Sequence, residues 1–202
     1  MEEILAERGV GVSDEAVRPL CLKFGAPFAK NLGDRRGRLG DIWHLDEMFV
    51  SIRGEQHYLW RAVDQDGEVL DIRVQKRRDT CAAQRCFHKL LKGLPYVPCT
   101  IVTDRLGSYG AACRNLLPRV VPRQGQRLNN RAGVSHQRTR QRERHMRCFK
   151  SPGQAEHFLV VHGPINNLFG LGRHLPPARH YRTLRTQAVT AWGEVTGLQE
   201  AA

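Results

Sequence analysis

The run Trp43-His44-Leu45-Asp46-Glu47-Met48-Phe49-Val50-Ser51-Ile52 decides the fold. β-branched and aromatic residues dominate it, and Arg53-Gly54-Glu55 closes it as a turn, so it reads as a strand. Asp46 and Glu47 sit in its middle. Neighbouring strand residues point to opposite faces, so at most one of the two acids faces the core side. A carboxylate there is costly unless it is paired or holds a cation. On this stretch alone, acids on a solvated face or paired with arginines are an equally good reading.

Downstream, Gln56–Val63 and Val69–Val74 read as two more strands, with Asp64-Gln65-Asp66-Gly67 as the turn between them. Asp79 is placed to cap a helix running through Lys92, with Ala82, Ala83, Cys86, Phe87, Leu90 and Leu91 on one face and Gly93 and Pro95 as its end. Cys99-Thr100-Ile101-Val102-Thr103 reads as a short buried strand with Asp104 at its C-terminal end. A helix follows around Ser108–Leu117, stopped by Pro118. Strands first and then helix–strand–helix describe an α/β mixed sheet covered by helices.

Upstream, Gly9-Val10-Gly11-Val12 is a turn. Ser13 is a cap for a helix through Val17, Leu20 and Phe24, with Gly25 as its stop. Pro19 inside that helix costs about 3 kcal/mol. Helix, glycine turn and helix outline a helix-turn-helix, although a plain helical hairpin fits the pattern as well. Residues 30–41, with Arg35, Arg36, Gly37 and Arg38, form a basic linker. Beyond the strands and helices of the centre, residues 170–177 are rich in Gly, Pro and Arg, and a last helix is expected over 181–192. The expected domains are 1–40, 41–165 and a tail of 166–202.

Lys and Arg number 32 against 20 Asp and Glu, a net charge of +12. That excess points to a polyanion, nucleic acid first and an anionic membrane surface second. No apolar run approaches the roughly 18 residues of a membrane span, and the start at Met1-Glu2-Glu3 shows no signal peptide. The six cysteines show no C-x-x-C pair or zinc spacing and are expected to be small buried hydrophobes in a reduced cytosol. The charge concentrates between Arg123 and Lys150. Residues 131–146 read as a helix with a cationic face, on which Arg131, Arg138, Arg140, Arg142, Arg144, Arg147 and Lys150 are the candidate DNA contacts. A solvated surface helix would normally mix both signs.

Acids in the middle of a first strand and at the end of a fourth lie side by side in such a sheet. Phosphodiester chemistry with two Mg²⁺ ions needs carboxylates from separate elements converging on ions about 4 Å apart. Asp46 and Asp104 fit as two such ligands, although a strand-end Asp is also a common helix cap. The wording around them is more specific. Trp43-His44-Leu45-Asp46-Glu47, Tyr58-Leu59-Trp60-Arg61-Ala62-Val63-Asp64, Thr103-Asp104-Arg105-Leu106, Ser108-Tyr109-Gly110, Leu128-Asn129-Asn130-Arg131-Ala132, Ser135-His136-Gln137 and Phe149-Lys150-Ser151 together resemble the DDE transposases of bacterial insertion sequences, in the insertion sequence six branch. The resemblance spans roughly residues 8–195.

This resemblance implies a ribonuclease H-like, retroviral integrase-type catalytic domain with an N-terminal helix-turn-helix. It implies cleavage and strand transfer with Mg²⁺ or Mn²⁺ on double-stranded DNA, at terminal inverted repeats and a target. It also implies a homo-oligomer on DNA, in the bacterial cytoplasm and associated with the nucleoid. Asp46 matches the first catalytic acid and Asp104 the second, both as metal ligands. The third acid is a Glu that follows Leu-Asn-Asn-Arg-Ala, and here that position is Gly133. Residues 105–132 keep the family spacing, so the change is a substitution and not a shift. Val134 replaces the usual Asn. Pro19 and Leu20 stand where the family has Arg and Trp, and Pro122 and Gly125 replace histidines. The chain enters the resemblance late, so the first helix of the helix-turn-helix is expected to be short or missing. Together these departures read as a decayed copy. Glu47 is expected to point to the opposite face, and Glu143, ten residues past Gly133, is a poor substitute ligand. The reading is a transposase of impaired activity. The alternatives are an inactive DNA-binding remnant or inhibitor and, from a different class, a structural RNA-binding protein.

Overall fold

The computed structural model describes residues 7, 9, 11–35, 39–94, 96–104, 106–125, 128–146, 148–170 and 177–197. In chain order its elements are α1 (Asp14–Asp34), β1 (Ile42–Ile52), β2 (Glu55–Asp64), β3 (Val69–Gln75), α2 (Thr80–Gly93), β4 (Thr100–Thr103), α3 (Gly107–Leu116), β5 (Val121–Gln124), α4 (Asn130–His145), α5 (Pro152–Phe169) and α6 (Ala178–Thr196). By packing the chain divides into Gly37–Gly163 and a second unit that combines Met1–Arg36 with Pro164–Ala202.

The first unit is built on a five-stranded sheet in the order β3-β2-β1-β4-β5. β1, β2 and β3 form the expected antiparallel meander. Its first turn is tight because Arg53 and Gly54 both take positive φ, 54° and 81°, the geometry of a two-residue hairpin whose twist matches the strands. Its second turn is organised by Asp64, whose Oδ1 accepts from the Asp66 and Glu68 amides, each at 2.9 Å. β4 lies parallel to β1, and β5 parallel to β4.

Alternation along β1 divides the core in two. Trp43 and Leu45 join Trp60, Ala62, Phe87, Leu90, Ile101 and Tyr109 under α2 and α3. Met48, Val50 and Ile52 join Leu59, Val63, Ile72, Ala132, Phe149 and Leu159 under α4 and the first part of α5. The sheet is thus covered on both faces, the arrangement of an α/β layer fold. The edge of β3 is closed where the Val74 amide donates to Glu156 Oε1 at 2.8 Å.

α2 starts as expected, with the Asp79 side chain accepting from the Ala82 amide at 2.8 Å. β5 is a strand that no periodicity announced. All four of its residues are exposed and one is Pro122, as suits a short edge. Of the cysteines, all six are free and only Cys86 and Cys113 are buried; Cys21, Cys81, Cys99 and Cys148 are exposed, which corrects their assignment to the core.

In the second unit Ser13 caps α1 as read, its Oγ accepting from the Ala16 amide at 3.3 Å. The helix does not stop at Gly25. It continues through Gly25 and Pro27 to Asp34, absorbing the start of the expected basic linker. Packing outweighs the local breakers here. Gly25 and Ala29 are buried, Phe28 meets Trp192 of α6 edge-on at 5.8 Å, and Arg35 pairs with Glu194 at 2.5 Å. α6 itself exceeds the expected 181–192 at both ends. The first helix of the expected helix-turn-helix, Arg36–Arg38 of the linker and the Gly/Pro/Arg segment at 171–176 lie outside the described residues.

Candidate metal and DNA site

β1 and β4 run parallel, and their last paired residues are Leu45 and Thr103. Asp46 and Glu47 therefore lie one and two residues past the last pairing with β4, near the chain as it leaves the sheet at Asp104. One oxygen from each of Asp46, Glu47 and Asp104 lies within 4.8 Å of the other two. The convergence of Asp46 and Asp104 is the one their sequence positions predict. The presence of Glu47 is a correction. It shares the face of Trp43 and Leu45, as alternation requires. Its carboxylate nevertheless reaches the notch, because β4 no longer flanks β1 there.

The three acids are differently held. Asp104 Oδ1 accepts from the Leu106 amide at 3.0 Å, which fixes the chain just ahead of α3 without capping the helix and leaves Oδ2 facing the notch. Glu47 Oε1 accepts from Arg78 Nε at 2.6 Å, and the same guanidinium lies 3.6 Å from Asp104 Oδ2. Glu47 Oε2 is buried with no partner, and the Tyr109 hydroxyl beside it meets no hydrogen-bond geometry either, although its proximity favours the charged Glu47. Burial raises the Glu47 carboxyl, and Asp104 adds to this. Asp46 is pushed up to about 7 by burial first and then by the charges of Glu47 and Asp104. Carboxylates crowded this way favour a bound cation or a shared proton. With oxygen donors only, the set fits a hard divalent cation such as Mg²⁺ or Mn²⁺.

α4 lies across Asp46. Asn129, at its start, donates from Nδ2 to the Leu45 carbonyl at 2.7 Å. Buried Arg61, opposite Asp46 on β2, donates from Nη1 to the Ser135 carbonyl at 2.5 Å and from Nη2 to Thr139 Oγ1. These two anchors bracket position 133. A Cβ built on Gly133 would meet a single outside atom, Asp46 Oδ2, at 3.9 Å. The position that carries the third acid in the resembled family thus faces the first acid across open space. One turn on, His136 Nε2 lies 3.6 Å from Asp46 Oδ2. Burial, with help from Arg61 and Arg140, drives the His136 ring down to about 3, so it is neutral at pH 7. Glu143 interacts instead with the backbone of Ser51, five residues along β1, and takes no part in the cluster.

Arg131, Arg140, Arg142 and Arg144 are exposed on α4, and Lys150 is exposed beyond it. Arg131 and Arg140 act electrostatically on His44 and His136 beside the site. The Arg138 side chain and Arg147 lie outside the described residues. Arg61, Asn129 and His136 stand within the motif words of the sequence, but no role was legible for them there. The usable signals were the placement of Arg61 opposite Asp46 in a hairpin register and the i, i+3 spacing from 133 to 136. Arg78 carried no signal.

A mixed sheet of this order and direction, helix-covered on both faces with acids at the β1–β4 notch, defines a ribonuclease H-like protein. A family described as a DDE domain matches residues 40–170. The chain belongs to the DDE transposases of bacterial insertion sequences, in the insertion sequence six branch. It is 30% identical over 118 residues to the transposase for insertion sequence-like element IS431mec of Staphylococcus aureus strain N315, covering 58% of this chain and 52% of that one. The same figures hold for the transposase for insertion sequence element IS257 in transposon Tn4003 of S. aureus. An uncharacterised Yersinia pseudotuberculosis protein is 31% identical over 77 residues, covering 37% of this chain and 72% of its own. The chain thus spans about half the length of the transposases it matches. Among solved structures, the HTLV-2 integrase catalytic core domain in complex with magnesium aligns at TM-score 0.46 and 17% identity, covering 70% of this chain and 93% of that one. The BIV integrase catalytic core aligns at 0.44 and 13%, covering 76% and 99%. None of the described helices is long and apolar enough to cross a membrane.

Proposed function

We propose that this chain is a transposase for DNA ends whose catalytic site is impaired at one position. Residues 41–165 form its catalytic domain, 1–40 the remnant of an end-binding helix-turn-helix, and 166–202 a C-terminal tail. Asp46 and Asp104 hold Mg²⁺ or Mn²⁺, which when bound supplies charge to the reacting phosphate and activates the attacking oxygen. The observation that carries the reading is the convergence of Asp46 and Asp104 beneath a Gly133 whose Cβ direction meets Asp46 Oδ2 at 3.9 Å. The site has its scaffold and lacks one oxygen donor. Phosphoryl transfer rests on positioning and charge stabilisation, so that lack costs orders of magnitude in rate.

Double-stranded DNA is the partner, at inverted repeats and a target, and the protein acts as a homo-oligomer in the bacterial cytoplasm at the nucleoid. The exposed arginines of α4 contact phosphates. Gly133 equally favours a second reading, an inactive remnant that occupies DNA ends or joins intact copies as an inhibitor. Incubation with end DNA and Mn²⁺ separates the two. Slow nicking that Asp46→Asn removes identifies the impaired enzyme; salt-sensitive binding with no nicking at any metal concentration identifies the inhibitor. Absence of binding would refute both.

A further inference from the structure

We propose that Glu47 is a ligand of the divalent cation in this site and that Arg78 is the internal cation it displaces. The inference rests on the reading that Asp46 and Asp104 hold such an ion. Glu47 reaches the notch from the opposite face of the sheet, one oxygen lying within 4.8 Å of those of Asp46 and Asp104. Its side chain is only 3% exposed, and Oε2 has no hydrogen-bond partner. A carboxylate kept as a structural counter-ion would be expected to satisfy both oxygens, since an unmatched buried acceptor is costly. Apart from the neighbouring Tyr109 hydroxyl, no protein group engages Oε2, so the carboxylate keeps lone pairs free for a cation.

The second observation is what fills the notch now. Arg78 grips Glu47 Oε1 through Nε and a second nitrogen, at 2.6 and 2.5 Å, and lies 3.6 Å from Asp104 Oδ2. A guanidinium drawn between two acids reports that the spot attracts positive charge. Its side chain is 35% exposed, so it has solvent to withdraw into. With Arg78 withdrawn, three crowded carboxylates are left without their counter-charge, which suits a divalent ion. Glu47 does not replace the acid missing at 133, since a Cβ built on Gly133 would meet Asp46 from the side of α4. The arrangement provides for one ion and leaves a second without its ligand.

The test is Mn²⁺ titration of the full chain by calorimetry and electron paramagnetic resonance, without DNA. Glu47→Gln and Asp104→Asn should each weaken binding at least about tenfold, the lower end of what outer-shell metal partners cost. Glu47→Asp keeps the charge but withdraws the oxygen, and should weaken binding as well. Arg78→Gln should tighten it several-fold by removing the competitor. Affinity unchanged in both Glu47 variants but abolished in Asp104→Asn would overturn the inference and leave the metal site standing. Affinity unchanged in Asp46→Asn and Asp104→Asn would instead refute the metal site on which the inference rests. Weaker binding in Arg78→Gln would also overturn it, by showing that Arg78 supports the ion and does not compete with it.

Discussion

Replacing Asp46 by Asn should stabilise the metal-free protein, and only at neutral to alkaline pH. Burial and the neighbouring acids hold the Asp46 carboxyl at about 7 in place of 3.8. The folded value lies above the unfolded one, so the folded state binds this proton more tightly. The stability it contributes is fully present below about pH 4 and is lost as pH rises through 7. At about 1.4 kcal/mol per pH unit, ionised Asp46 costs the fold on the order of 4 kcal/mol. The side chain keeps 22% of its surface in solvent, and Arg78 offsets part of the repulsion, so about 2 kcal/mol is the expected gain from the neutral isostere. For a chain of this size that is roughly 4–8 °C in Tm. His136, held down near 3, works in the opposite sense, losing stability as pH falls below 6.5, but it is common to both proteins. The assay is thermal unfolding of the two proteins in chelator at pH 4.5 and pH 8, then at pH 8 with excess Mg²⁺. The gap should open between the two pH values. It should then shrink or reverse with Mg²⁺, because an ion that binds only the folded wild type raises its stability by mass action. An Asn variant less stable than wild type by the same margin at both pH values would refute the electrostatic reasoning.

Arg61 is buried and holds α4 through Ser135 and Thr139, so Arg61→Ala should cost about 3–5 kcal/mol in urea unfolding, and Arg61→Lys, which loses the fork, about half that. A neutral Arg61→Ala would show that α4 is held by other means. Joint replacement of Arg140, Arg142 and Arg144 by Ala should weaken binding to all duplexes about equally and flatten the dependence of log K on log salt by about 0.9 for each phosphate no longer neutralised. An unchanged slope would remove α4 from the DNA surface. With Pro19 and Leu20 replacing Arg and Trp in α1, competition between an inverted repeat and random duplex should show little preference; a ratio of about 10³ or more would contradict that.

The meander was legible because β1, β2 and β3 combine β-branched or aromatic runs with turns built on Arg53-Gly54 and Asp64–Gly67. α2 was legible from its one-sided apolar face and the Asp79 cap. β5 was not, since an edge strand with all four residues exposed and a proline carries no alternation. The length of α1 was misread because Gly25 and Pro27 are local breakers, and only the packing of Phe28 on Trp192 shows why they are tolerated. At the site, Asp46 and Asp104 followed from their places on two strands. Glu47 did not, because alternation gives the face a side chain leaves from and not how far a glutamate reaches around the end of a neighbouring strand. Arg78, in the link between β3 and α2, is placed only by tertiary structure.

The central claim is that the site lacks one carboxylate on an otherwise intact scaffold. It is tested most directly by Mn²⁺-dependent cleavage of pre-cut end DNA with the unaltered protein and with Gly133→Glu combined with Val134→Asn. The new glutamate would enter open space facing Asp46 Oδ2. The double variant should cleave at least about a hundredfold faster, the scale lost when one charge-stabilising group is removed. No gain over the unaltered protein, or robust cleavage by the unaltered protein that Asp46→Ala abolishes, would contradict the account.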